Sequence, residues 1–408
     1  LENKYDDWSR GFIRLALLIN RHFDGFVDAY VGPSFIKAEV EQERSVEPLA
    51  LLAEATRLLE ALSSVGYTNR RAEYLKRQML AIRLICAKLC GQNFSYSEEV
   101  ATCFNSKPER VAEKVFENAL TELDELVPGK GSLVERLEER KKWLTIPPAR
   151  LLEVSTFACE EVRQRSAHFL DLPEGETLEI VEVKNEPWSA YNWYLGNYKS
   201  RIEINTDLPV QAPYISRLVC HEAYPGHHIE HALKEQKLLR EKGYLENSIM
   251  LINTPECVIS EGIGNTAERI VFDEDELFEW QVSEIFPRCG IEGGNATEEA
   301  RIAKAQGDLN WVRGNVAFMI HEDGASDDEA VAYLKRYSLR NENEALKALS
   351  FIKSPLWRPY IFTYLVGEPL LRVITQGEKR QSVFRKLLSE QIYPDLCLEW
   401  AAQGVPAD

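Results

Sequence analysis

Apolar positions in the first 170 residues recur every three or four places. Leu75, Met79, Ile82, Cys86 and Leu89 form one such stripe, and Val111, Val115, Ala119 and Leu123 another. That period predicts successive amphipathic helices. Turn-forming residues punctuate them at Gly66, Gly91, Pro108, Pro128-Gly129-Lys130-Gly131 and Pro147-Pro148. Between about 176 and 208 the period changes to two. Leu178 to Val183 and Arg201 to Asn205 alternate and predict strands, with an aromatic loop from Trp188 to Tyr194 between them. Pro209 and Pro213 then set the start of a helix over 214–224. The remaining chain is helical in pattern: 230–251, 256–273, 303–320, 327–337, and a segment introduced by Pro355 that runs through Tyr364 and Leu371. A loop over 290–294 is rich in glycine.

The expectation is a mainly α protein with two helical lobes and a small β-sheet just before the helix that opens at Tyr214. No repeat and no Pro/Gly/Ser-rich linker divides the chain. Residues 1–408 therefore read as one unit, with an N-terminal lobe over 1–175, a central stretch over 176–275 and a C-terminal lobe over 276–408. Arg201 to Asn205 reads as an edge strand able to pair with extended peptide backbone.

Charge narrows the partners. Asp and Glu total 65 against 48 Lys and Arg, a net charge of −17. Such a surface repels nucleic acid and anionic membranes. No apolar run approaches the ~18 residues of a membrane span. The eight cysteines contain no C-x-x-C pair and no dense framework, as expected of free thiols in a reducing compartment, so cytoplasm is the expected location. The first five residues, Leu1 to Tyr5, carry no leader pattern, although the missing initiator Met leaves room for a trimmed one.

The candidate chemistry is concentrated in His221-Glu222-Ala223-Tyr224-Pro225-Gly226-His227-His228-Ile229-Glu230-His231. Four of the seven histidines fall in these eleven residues, interleaved with two glutamates. Neutral imidazole is a preferred zinc ligand, and a neighbouring carboxylate is the usual base for water activated by the metal. A lone histidine is more often a solvated or hydrogen-bonded core residue, but this density points to a metal site holding one zinc ion per chain.

Spacing restricts how the cluster can work. In a regular helix His227 points away from His221, and His228 returns to its face only ~10 Å further along the axis. Ligands within ~2.1 Å of one zinc cannot lie so far apart. One solution is that Pro225-Gly226 breaks the helix and brings His227, or His228, beside His221 with Glu222 as base. In the other, Pro225 opens a new helix in which His227 and His231 pair at i and i+4, with Glu230 as base of the inverted motif. Both need a third ligand. Glu261 and Glu268 lie seven apart in Ser260-Glu261-Gly262-Ile263-Gly264-Asn265-Thr266-Ala267-Glu268, and Glu261 is the better candidate.

His221-Glu-Ala-Tyr-Pro-Gly-His-His228 followed by Glu261-Gly and Ala267-Glu268 resembles the bacterial family named domain of unknown function 885, which is grouped with the gluzincin metallopeptidases. Weaker matches run through Tyr198 to Thr206, Val316 to His321, Ser326 to Val331 and Tyr364 to Gly367. The resemblance implies a helical, two-lobed gluzincin-like fold with zinc held by two histidines and a downstream glutamate. The Ile263-Gly264-Asn265 segment departs from the more aromatic pattern of that family. Its members often have an apolar residue at the position of His231 and Gln at that of Glu230, which favours the His221/Glu222 solution.

Together these readings predict a zinc-dependent hydrolase that cleaves short peptides, with metal ligands His221, His227 and Glu261 and with Glu222 as general base. His228, His321, Tyr360 and Tyr364 are the candidate donors to the developing oxyanion, and Arg358 is a candidate clamp for a substrate carboxylate. A hydrolase of other amides, and a helical binding protein with a structural metal closed by His228 or Glu268 as fourth ligand, are the alternatives.

Overall fold

The computed structural model describes residues 5–406 apart from 187 and 208. The chain is mainly α, as expected. Asn69–Leu89 buries Leu75, Met79, Ile82 and Cys86, the apolar stripe read from the sequence. In Glu113–Leu126 the buried stripe is instead Phe116, Ala119, Leu123 and Leu126, leaving Val115 37% exposed and Val111 before the helix begins. Phe116 supplies the larger apolar area, so the helix is rotated to bury it.

Five short strands interrupt the helices. β1 (Val27–Tyr30) pairs antiparallel with β5 (Ile249–Leu251). β2 (Thr177–Val183), β3 (Ala190–Gly196) and β4 (Lys199–Asn205) form the sheet expected before Tyr214. Its strand order is β2-β4-β3, with β2 and β4 parallel and β3 and β4 antiparallel. Three expectations are corrected here. Trp188 to Tyr194 is largely strand rather than loop, because Tyr191, Trp193 and their neighbours fill the antiparallel register against β4. Arg201–Asn205 is consequently central, and β2 and β3 are the edges. The expected long helix over 230–251 ends early: His227–Lys234 passes into a π-helical turn at Glu235–Glu241, and Ile249–Leu251 is strand. Its partner β1 lies in a region read as wholly helical. Two short strands far apart in sequence satisfy one another's backbone groups, a pairing that local periodicity does not reveal.

The buried apolar residues form two cores. The first gathers Asp7–Asn20, Asn69–Leu89, Pro148–Ala167, β4 and the helices around the histidines. The second gathers Tyr96–Phe104, Glu113–Leu126 and most of the chain from 302 to 365. Four helices reach both: Asn69–Leu89 gives Leu84, and Leu133–Leu144 gives Leu137, to the second core, and two others form the seam itself. Pro255–Val271 gives Ile259, Ile263 and Ala267 to the first and Cys257 and Val258 to the second; Ile361–Ile374 gives Leu371 and Ile374 to the first and Ile361, Phe362 and Leu365 to the second. The cores thus cut across the stretches 1–175, 176–275 and 276–408.

These two seam helices approach closely because each has a glycine at the crossing. A Cβ on Gly262 would lie 2.8 Å from the Gly367 carbonyl oxygen, and one on Gly367 would lie 2.5 Å from that of Val258. The crossing sets Glu261 of one helix against Tyr360, the residue just before the other.

All eight cysteines are free. Among the described residues no helix is long and apolar enough to cross a membrane.

Candidate metal centre

The first histidine helix, Tyr214–Glu222, ends one residue after His221. Ala223 leaves helical geometry at φ −112°, ψ −92°, the Tyr224–Pro225 peptide is cis, and Gly226 lies at φ −77°, ψ −138°. The second histidine helix, His227–Lys234, starts at once. Gly226 folds back against the end of the first helix: a Cβ there would lie 2.0 Å from the His221 carbonyl oxygen and 2.3 Å from that of Cys220. Only glycine fits that contact. The break returns His227 to His221, with their Nε2 atoms 3.1 Å apart.

Glu261 comes from the seam helix Pro255–Val271, and its Oε2 lies 3.5 Å from His221 Nε2. Ligand atoms of His221, His227 and Glu261 all fall within 4.8 Å of one another, a grouping able to hold a metal ion. The chemistry of the donor set fits: two imidazole nitrogens and one carboxylate oxygen leave a fourth position open. Glu261 Oε2 is buried and has no hydrogen-bond partner, while Oε1 accepts from the Tyr360 hydroxyl at 2.7 Å. A buried, unsatisfied carboxylate oxygen is costly in the absence of a cation.

The surroundings set the protonation of the triad. Burial, then the charge of neighbouring His227, holds His221 well below the usual imidazole range, in the neutral form that ligates. Burial also opposes a charge on His227, but the Glu230 hydrogen bond and the Glu261 and Glu222 carboxylates prevail and push it up to about 9. The same carboxylates give this end of the cleft a negative field that favours a cation. Glu222 lines the same cleft, and burial pushes its carboxyl up to about 7. Asn192 of β3 donates to the Glu222 backbone carbonyl at 2.6 Å, tying the end of this helix to the edge strand.

A second layer orients the ligands. Glu230 Oε2 lies 3.4 Å from His227 Nδ1 and accepts from Ser260 Oγ at 2.7 Å, while Glu230 Oε1 accepts from Lys234 at 2.7 Å. Glu230 is therefore engaged behind His227 rather than in the cleft. Gly264 lets the His221 ring pack onto the seam helix, since a Cβ there would lie 2.6 Å from its Nδ1 and Cε1.

The remaining sequence candidates separate clearly. His231 lines the cleft and stacks on His227 at 6.0 Å between ring centroids, but contributes no atom to the triad. His228 points into the core, with Nδ1 2.8 Å from Ser200 Oγ and Nε2 3.0 Å from Glu176 Oε2. Glu176 also accepts from Tyr224 and Arg163, at 2.6 and 2.7 Å. His228 thus belongs to a network that anchors the break, not to the cleft. His321 is remote, its Nε2 2.8 Å from the Ile352 carbonyl oxygen and its ring 4.7 Å from that of Tyr96. Arg358 is consumed by Glu99 at 2.5 Å. Glu268 accepts from Ser216 at 2.6 Å. Tyr360 and Tyr364 both line the cleft, and the Tyr364 hydroxyl has no hydrogen-bond partner among the described residues.

The cleft spans about 790 Å³ including its open mouth. Tyr191 belongs to the aromatic stretch singled out before the first histidine helix, whereas Asp28 escaped sequence reasoning. Asp28 of β1 and Tyr191 of β3 hydrogen-bond to one another in its wall, and burial pushes the Asp28 carboxyl up. The β-prone residues Val27, Tyr30 and Val31 were the available signal for β1. The Asp28–Tyr191 pairing had none.

No family model and no curated protein matches the chain. Solved structures share its fold. A protein provisionally described as a lipoprotein from Colwellia psychrerythraea matches with TM-score 0.54 at 14% identity, over 86% of this chain and 65% of its own. A similarly described protein of unknown function from Shewanella oneidensis matches with TM-score 0.52 at 10% identity, over 90% of this chain and 76% of its own. The M32 carboxypeptidase from Deinococcus radiodurans R1 aligns over 97% of this chain and 90% of its own, at 13% identity and a TM-score of 0.41. The chain therefore spans just under two thirds of the Colwellia protein, and the first two likenesses show the fold alone.

Proposed function

We propose that the protein is a zinc-dependent hydrolase that cleaves amide bonds of short peptides, with His221, His227 and Glu261 holding the ion. The observation that carries this reading is the grouping of ligand atoms from His221, His227 and Glu261, with Glu261 Oε2 buried and without a hydrogen bond and Glu222 in the same cleft. Zinc supplies Lewis acidity, which polarises a carbonyl and makes water acidic enough to deprotonate near neutral pH. Glu222 takes the proton from water and delivers it to the leaving amine. Tyr364, whose hydroxyl is uncommitted, donates to the carbonyl oxygen as negative charge develops there. The free edge of β3 lies along the cleft through Ala190, Tyr191 and Asn192, and takes an extended substrate backbone.

Two observations favour a reactive centre over a closed structural one. His228 and Glu268, the available fourth ligands, are both held by other partners. The cleft opens to solvent beside the triad.

The test is metal analysis of the purified chain followed by cleavage of a peptide library with and without a chelator. One equivalent of zinc and chelator-sensitive cleavage are expected. A chain that binds no divalent ion when supplied with a stoichiometric amount would refute the proposal.

A further inference from the structure

A carboxylate that leaves solvent in this chain is generally given a cation. Glu99, Glu176, Glu235, Glu246 and Glu299 are all buried, and each forms an ion pair with Lys or Arg. The cleft departs from that pattern. Of the carboxylates in its lining, Glu256 is held by Lys234 at 2.9 Å, but Asp28, Glu222 and Glu261 have no ion pair with Lys or Arg among the described residues. No Lys or Arg side chain lines the cleft. Glu222 and Glu261 are accounted for by the candidate centre, where together they balance a divalent ion. Asp28 contributes no atom to the triad and is a negative charge left over.

The backbone itself presents Asp28 to the cleft. β1 and β5 pair Val27 with Leu251 and Ala29 with Met250, so two steps along β1 oppose one along β5 and Asp28 is the extra residue. A bulge of this kind re-aims a side chain, and Asp28, Met250 and Leu251 share the cleft wall. Tyr191 of β3 fixes the carboxylate from the other side. Its hydroxyl donates to Asp28 Oδ1, and its ring packs against those of Trp188 and Trp193, at 5.2 and 4.8 Å between centroids. Asp28 Oδ2 accepts no hydrogen bond among the described residues. Burial raises the carboxyl, and neither the Tyr191 hydrogen bond nor the charge of His227 fully offsets it. The next residue, Asn192, also lines the cleft; its Oδ1 is buried without a partner, while its Nδ2 is spent on the Glu222 carbonyl. This wall offers unmet acceptors and lacks both donors and positive charge.

An ammonium group brings what the wall lacks, since it donates three hydrogen bonds, accepts none and carries a full charge. A carboxylate accepting from it in a partly desolvated cleft makes a charge-assisted bond, one of the strong ones. The net charge of −17 draws cations to the chain at long range. We propose that Asp28 receives a protonated amine of the peptide, its free N-terminus or a lysine-like side chain, which makes cationic peptides the substrate class. The word substrate rests on the hydrolase reading, but the ammonium contact itself does not depend on turnover. Tyr191 is a positioning residue, because it acts by holding the carboxylate.

The test separates the two ideas. Full-length protein carrying Glu222→Gln, which stops turnover, is saturated with zinc and titrated calorimetrically with two matched pairs of peptides. One pair is trialanine amide and its N-acetyl form; the other is N-acetyl-Ala-Lys-Ala amide and the same peptide with norleucine for lysine. In at least one pair the charged member is expected to bind about tenfold tighter or more, as a charge-assisted contact requires, and the pair that shows it identifies the source of the amine. Asp28→Asn in the same background keeps the size and the acceptor for Tyr191, and should erase the preference; Asp28→Glu should restore part of it. Asp28 has no Lys or Arg partner to lose, so Asp28→Asn is expected to unfold at the same temperature as the parent or a higher one. Should it fail to fold, Tyr191→Phe is read instead and should weaken the preference. Equal affinity within both pairs, no binding of any peptide, or a preference that the replacement leaves unchanged, as a direct bond from amine to zinc would, overturns the proposal. If the unmutated protein cleaves none of the four peptides while the preference persists and depends on Asp28, the hydrolase reading fails and the ammonium site stands.

Discussion

Glu176→Gln tests how the break between the two histidine helices is held. Glu176 accepts from Arg163, Tyr224 and His228, and its side chain is 2% exposed. Burial opposes its ionisation, but the hydrogen bonds from His228, Tyr224 and Arg163 prevail and bring the carboxyl from 4.5 down to about 2. A depressed folded-state value means the unfolded chain binds the proton more readily. The stabilisation is complete above the unfolded value and is lost as pH falls through the folded one. A shift of this size corresponds to ~3 kcal/mol at pH 7, declining to ~2 kcal/mol by pH 3.5. Glutamine keeps the shape but not the charge, so the variant should be less stable by ~3 kcal/mol at neutral pH, with the gap narrowing as the solution is acidified. Urea unfolding of both proteins at pH 7, 5, 4 and 3.5 reads it directly. A gap below ~0.5 kcal/mol at pH 7, the usual range for surface substitutions, or one that widens on acidification, refutes the network as an anchor.

Other expectations concern the centre itself. Glu222→Gln should retain zinc and lose peptide hydrolysis by ~100-fold or more, measured at saturating metal; near-normal turnover would move the base elsewhere. His227→Ala should abolish tight zinc binding in a chelator competition, whereas His231→Ala, which removes only a stacked neighbour, should change affinity by no more than a few-fold. Equal damage from the two would restore the inverted motif. Gly264→Ala sets a methyl 2.6 Å from the His221 ring, so it should weaken zinc binding by ~10-fold or more although residue 264 carries no ligand. Unchanged affinity would show that His221 has room to move.

Several features of this protein were determined by its sequence alone. The 3.6-residue period over 75–89 and the alternation over 178–183 and 201–205 specified helix and strand, because burial of one face acts locally along the chain. The impossibility of placing His221 and His227 on one side of a regular helix required a break, and Pro225-Gly226 was the one place able to supply it. The density of histidines before a downstream Glu-Gly marked which residues to consider as ligands. Tertiary structure decided which of them meet. His228 adjoins His227 in sequence, yet Glu176 and Ser200 draw it into the core, 52 and 28 residues away along the chain. His321 and Arg358 were plausible polar groups by composition, and long-range partners claimed them. β1 and β5 had weak local signals because each is stabilised by backbone bonds to a segment more than 200 residues distant. Periodicity reports what a residue does within its own element, and the approach of side chains from separate elements is settled by packing that no local window contains.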